Sequence, residues 1–129
     1  MEAHIRKFIG MAVLGVVLFS ARIPAWAGSV NHPEVKIFFT QASGSMVGAR
    51  DSGDSKQYIG CVESNNASAV TCLATDKTGK SVACVSKAEP KWAAVVRGIT
   101  DSSFINFGSV IGDPTCVGLT VDNGSQYLR

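Results

Sequence analysis

The sequence predicts a mainly β domain, all-β to small α+β, built as a curved antiparallel sheet or small barrel with one short helix and two disulfides. Three observations carry that expectation. Seven short segments rich in Val, Ile, Phe, Thr and Tyr are separated by Gly, Asn, Asp and Ser, the pattern of strands joined by tight turns. One other stretch has helical periodicity. The chain also holds four cysteines, an even count that in a small exported protein reads as two disulfides.

The first 27 residues read as a signal peptide. Arg6 and Lys7 precede the apolar run Phe8 to Phe19, and Ala25-Trp26-Ala27 places small residues at the −3 and −1 positions of a cleavage site. Twelve apolar residues fall short of the roughly 20 that cross a bilayer. Cleavage after Ala27 would leave residues 28–129, one disulfide-stabilised β-rich domain, secreted or periplasmic and with no stable membrane insertion after cleavage. A chain of this size carries one modest core.

The expected strands are Glu34 to Thr40, Ser45 to Ala49, Gln57 to Glu63, Ala69 to Thr75, Ser81 to Ser86, Ser103 to Val110 and Thr115 to Val121. Between the fifth and sixth, "EPKWAAVVRGI" (Glu89 to Ile99) puts Pro90 in a first helical turn. It sets Trp92, Val95, Val96 and Ile99 on one stripe, with Gly98 placed to close the helix. So short a helix needs a sheet face to lie on.

"ATDKTGKS" (Ala74 to Ser81) has the letters of a loose phosphate-binding loop, but period-two strands flank it where such a loop needs a following helix. A three-residue hairpin turn with Gly79 in the left-handed region accounts for more: Asp76 then faces Lys80 as an exposed ion pair, and Cys72 faces Cys84. A two-residue turn at Asn66 and Ala67 sets Cys61 opposite Cys72. Cys61 and Cys84 are then about 10 Å apart, beyond disulfide reach. Two pairings remain, Cys61–Cys72 with Cys84–Cys116, or Cys72–Cys84 with Cys61–Cys116. The first is preferred because it ties one hairpin and staples the C-terminal strand.

The cysteine spacing lacks the close pairs of zinc sites, and no cofactor or metal is expected. His32, the one histidine beyond the signal peptide, precedes the first strand in what reads as a solvent-exposed leader, so a nucleophile triad has no base. Asn66 and Asn123 carry the glycosylation acceptor pattern. Nine basic and nine acidic residues remain after Ala27, dispersed, which gives little steering toward nucleic acid or anionic membrane.

These absences favour an exported small non-enzymatic binding protein, an inhibitor or envelope accessory component, over an enzyme. The expected partner is an extracellular or periplasmic protein or glycan, and a homo-oligomer stays open. The first binding surface to examine is the polar loop Arg50, Asp51, Asp54, Lys56 and Tyr58, with the turn at Asp122 and Asn123. Two alternatives are weighed: a small hydrolase of an envelope or extracellular polymer using two of Asp51, Asp54, Glu63, Asp101 and Asp113, and a structural protein assembling through the strand edges of "KIFFT" and "FINFG".

Overall fold

The computed structural model describes residues 30–64 and 68–128. The signal peptide and the turn at Asn66 and Ala67 lie outside the described residues. Within them the chain is mainly β. Its strands are β1 (Lys36–Phe38), β2 (Gln41–Ser45), β3 (Tyr58–Glu63), β4 (Val70–Thr75), β5 (Ser81–Val85), β6 (Phe104–Val110) and β7 (Asp113–Asp122). They form one seven-stranded sheet in the order β1-β2-β6-β7-β5-β4-β3. The sheet is open rather than closed into a barrel. It is also mixed rather than wholly antiparallel: β5 and β7 run parallel and meet through a single bridge, Val85 to Thr115. The helix crossover between β5 and β6 is what lets β7 return in that direction, because a parallel neighbour needs a long connection.

That junction is covalently reinforced. Cys84–Cys116 joins β5 to β7 beside the lone bridge, and Cys61–Cys72 joins β3 to β4, the preferred pairing. The register behind it is also as expected: Cys61 faces Cys72, which faces Cys84. Two disulfides suit an oxidising, non-cytoplasmic setting. No helix among the described residues is long and apolar enough to cross a membrane.

The expected helix is α2, Pro90–Arg97. Ala93 is buried on it, and Trp92, Val96 and Ile99 pack against the core. Gly98 closes it as expected, at φ −82° in the right-handed region, its N–H directed to the Val95 and Val96 carbonyls. Arg97 donates to both carboxylate oxygens of Glu63 and fastens the helix end to β3.

Two expected strands are corrected. Ser45 to Ala49 is not a strand: β2 ends at Ser45, and Met46–Arg50 forms a one-turn helix, α1. Ser45 Oγ accepts the Gly48 N–H at 2.8 Å and starts that turn. Val47 and Ala49 are both buried on it, and over five residues that spacing imitates the alternation of a strand. Glu34 to Thr40 is shortened to β1, because the chain reverses at Phe39 and Thr40 to pair Phe38 with Gln41. None of the usual turn residues marks that reversal.

The core lies inside the curve of the sheet and contains Val35, Ala42, Ile59, Val70, Ala74, Ile105, Phe107 and three of the four half-cystines. Outside the core, the two ends of the described chain are latched together. Asn31 donates its N–H to the Gln126 carbonyl, and His32 Nε2 lies 2.9 Å from the Leu128 carbonyl. His32 is therefore tied down, not part of a loose leader.

Candidate functional site

The polar groups singled out in the sequence are largely spent on holding the chain. Asp54 organises its loop: Oδ1 accepts the N–H groups of Lys56 and Gln57, and Oδ2 accepts the Gln57 side-chain amide at 2.6 Å. Gln57 in turn accepts the Val35 N–H at 2.8 Å, so the loop is pinned to the start of β1. Arg50 and Asp51 form an exposed pair at the end of α1. At the far end of β7, Asp122 accepts the Gly124 N–H, while Asn123 accepts the Ser103 hydroxyl and donates to the Gly98 carbonyl. Asn123 thus joins the end of β7 to the connection between α2 and β6, while Asp122 holds its own turn.

The carboxylates are similarly occupied. Asp76 accepts the N–H groups of Thr78 and Lys80 and the Thr78 hydroxyl, placing its own negative charge where a phosphate loop would seat an anion. It caps the hairpin turn through the Lys80 backbone, where a side-chain ion pair was expected. Gly79, at φ +88°, occupies the left-handed position anticipated for it. Glu63 is paired with Arg97, and Asp113 accepts the Thr115 N–H. Each carboxyl displaced from the ordinary range is displaced downward. The Gln57 amide and Lys56 N–H do this for Asp54, Thr78 and Lys80 for Asp76, Lys91 for Glu89, and Thr115 for Asp113.

Tyr58 is different because its strand neighbours give it a surface. On β3, β4 and β5 the residues facing away from the core form three cross-strand rows. They are Tyr58, Thr75 and Ser81, then Gly60, Leu73 and Ala83, then Val62, Thr71 and Val85. The nine positions hold no charge. Tyr58, Val62, Leu73 and Val85 are between 41% and 64% exposed. An antiparallel sheet that turns one face to water normally makes that face polar, and contiguous exposed apolar groups on a small domain point to contact with something else.

The aromatic ring is held flat on this face. A Cβ built on Gly60 would lie 2.8 Å from the Tyr58 hydroxyl oxygen and 3.2 Å from its Cζ. Only glycine at position 60 leaves room for the ring to lie along the strand. Glu63, the one charged residue of β3, belongs to the opposite set and is engaged by Arg97. Both disulfides lie on the inner side, with Cys72 and Cys84 fully buried, so the face rests on a stapled layer.

The face was partly legible beforehand, since the register that aligned the cysteines also aligned the uncharged residues between them. The edge expectation divides: "KIFFT" contributes the edge strand β1, whereas "FINFG" lies in β6, between β2 and β7. No protein-family model, no curated protein and no solved structure matches this chain.

Proposed function

We propose that this is a small exported, non-enzymatic binding protein that meets a protein partner through the outer face of β3, β4 and β5. The observation that carries the reading is the uncharged grid around Leu73 with the Tyr58 ring laid over Gly60. Tyrosine is a frequent binding hot spot because it supplies contact area at low conformational cost and keeps a hydroxyl for a partner. A flat apolar face with Thr and Ser hydroxyls suits an inhibitor or envelope accessory component, whose work is to cover another surface. Export is supported by the two disulfides, which need an oxidising compartment. Of the hydrolase candidates, Asp54 and Asp113 have their carboxyls held below the ordinary range by hydrogen bonds from their own turns, which weighs against either as a general acid.

The test is affinity capture from the producing cell's envelope and culture fluid by the oxidised protein. A Tyr58→Ala/Val62→Asp variant should lose the captured partner while keeping its oxidised mass and thermal midpoint. Arg50→Ala should keep it. Capture that survives the double variant but fails in Arg50→Ala moves the surface to the polar loop. Turnover of an envelope polymer by the purified protein alone replaces the binder with the hydrolase.

A further inference from the structure

Asn123 is the one asparagine of the chain that glycine follows; Asn31, Asn65, Asn66 and Asn106 precede His, Asn, Ala and Phe. In an unfolded chain an Asn-Gly pair is chemically unstable. The glycine backbone nitrogen gives up its proton and attacks the asparagine Cγ, ammonia leaves, and the succinimide ring so formed takes up water and opens as Asp or isoAsp. Glycine permits this because no Cβ hinders the nitrogen or the backbone conformation the ring requires.

The fold restrains both reacting groups. The Gly124 N–H donates to Asp122 Oδ1 at 2.8 Å, and a carboxylate at that distance opposes the anion the nitrogen must become. The amide is held at its two ends: Oδ1 accepts the Ser103 hydroxyl, and Nδ2 donates to the Gly98 carbonyl at 3.0 Å. Ser103 is fully buried, and its hydroxyl oxygen also accepts the Thr100 N–H at 2.8 Å, so the hold is anchored in the fold. The chain beyond is fixed as well. The Asn31 N–H donates to the Gln126 carbonyl, and the buried Tyr127 ring stacks on Phe104 with centroids 5.3 Å apart. Ring closure removes the Gly124 proton and expels Nδ2, so the bonds to Asp122 and Gly98 are both lost.

We propose that Asn123 is a deamidation site which the native structure holds closed, so that the modification accumulates through molecules that have opened the end of β7. The reaction balances as the Asn123 amide and one water giving a carboxylic acid and ammonia, with water the only co-reactant. Its product does not restore the native contact. Where Nδ2 donated to the Gly98 carbonyl, a carboxylate oxygen faces that carbonyl, two acceptors with no proton between them. In isoAsp the backbone also gains an atom just after β7. Either product frees the end of β7 from the connection between α2 and β6, so an opening of this end leaves a permanent covalent record. The proposal does not rest on the reading of the β3–β5 face.

The experiment incubates the oxidised full chain at mildly alkaline pH, folded or unfolded in guanidinium chloride. After reduction and tryptic digestion, mass spectrometry follows the amide-to-acid exchange in the peptide Gly98 to Arg129, and fragmentation separates Asn123 from Asn106. Asn123 should convert at least about tenfold more slowly in the folded chain than in the unfolded one, because the reaction waits for local opening. Asp122→Ala frees the Gly124 N–H and Ser103→Ala releases Oδ1. Each should raise the folded rate toward the unfolded one while circular dichroism shows a native spectrum. Should Ser103→Ala not fold, Asp122→Ala alone decides. Asp54→Asn, a change in a different loop, should leave the folded rate at Asn123 as it is. Equal folded and unfolded rates in the wild type overturn the proposal, as does a folded rate that Asp122→Ala leaves unchanged. Acceleration by Asp54→Asn equal to that by Asp122→Ala also overturns it, since the protection would then be that of the whole fold. So does an unfolded chain in which another asparagine converts first.

Discussion

At the scale of single residues, the same side-chain types divide sharply by what surrounds them. Asp54 and Asn123, chosen for their polarity, are engaged by backbone groups of their own chain, whereas Tyr58 presents its ring to solvent because Gly60 lies beneath it. Asp54 makes a measurable case. The Gln57 amide and then the Lys56 N–H hold its carboxyl below the ordinary range, partly opposed by burial. A carboxyl with a depressed folded-state pKa stabilises above its unfolded value, about 3.9 for Asp, and that stabilisation is lost as pH falls through the lower folded value. Asp54→Asn should therefore melt below wild type at neutral pH, with the gap closing as pH falls below about 4. Thermal unfolding across that range checks it, and a gap independent of pH would assign the effect to packing. Nothing in the local sequence distinguishes an inward Asp from an outward one, because both suit a turn.

Among the elements, those with strong periodicity were legible and those shorter than two turns or two pleats were not. β4, β5 and α2 follow their alternation or stripe closely. α1 does not, since five residues cannot separate a period of 2 from one of 3.6. The weakest junction is β5 against β7, one backbone bridge and the Cys84–Cys116 bond. Cys61–Cys72, by contrast, duplicates a hairpin already paired at six positions. Sequence separations of 32 and 11 residues add a loop-entropy difference, about 1 kcal/mol in favour of the longer loop. Urea unfolding of Cys84→Ala/Cys116→Ala should show the larger loss of stability, and its exchange-labile amides should concentrate in β3 to β5. Equal losses from the two double variants would mean that the junction is held by packing alone.

At the scale of the whole molecule, the described domain, residues 30–64 and 68–128, is small enough to leave little margin between apolar burial and chain entropy. Its two disulfides should therefore carry a large share of the stability, and they suit an oxidising compartment. Export with cleavage after Ala27 predicts that mass spectrometry of the protein recovered outside the cytoplasm will find Gly28 at the N-terminus and four fewer hydrogens than the reduced chain. A retained Met1 to Ala27 segment would remove the export reading. Reduction should lower the thermal midpoint in the same preparation, linking the compartment to stability.

By itself, the amino-acid sequence determined the mainly β class, the helix over Pro90 to Arg97, the facing of Cys61, Cys72 and Cys84, and the turn at Gly79. Each depends on local periodicity or on a residue with restricted backbone geometry, and such information is carried within about ten neighbouring positions. The parallel β5–β7 junction, the position of "FINFG" within the sheet, and the gathering of Phe38 and Phe39 beside Val110 and Ile111 were decided only by tertiary structure. They depend on pairings between strands distant in sequence, where several arrangements bury similar apolar area and only the whole set of contacts selects one. The uncharged β3–β5 face lies between these cases: its composition is local to three strands, but that none of the other described residues covers it is a property of the folded molecule.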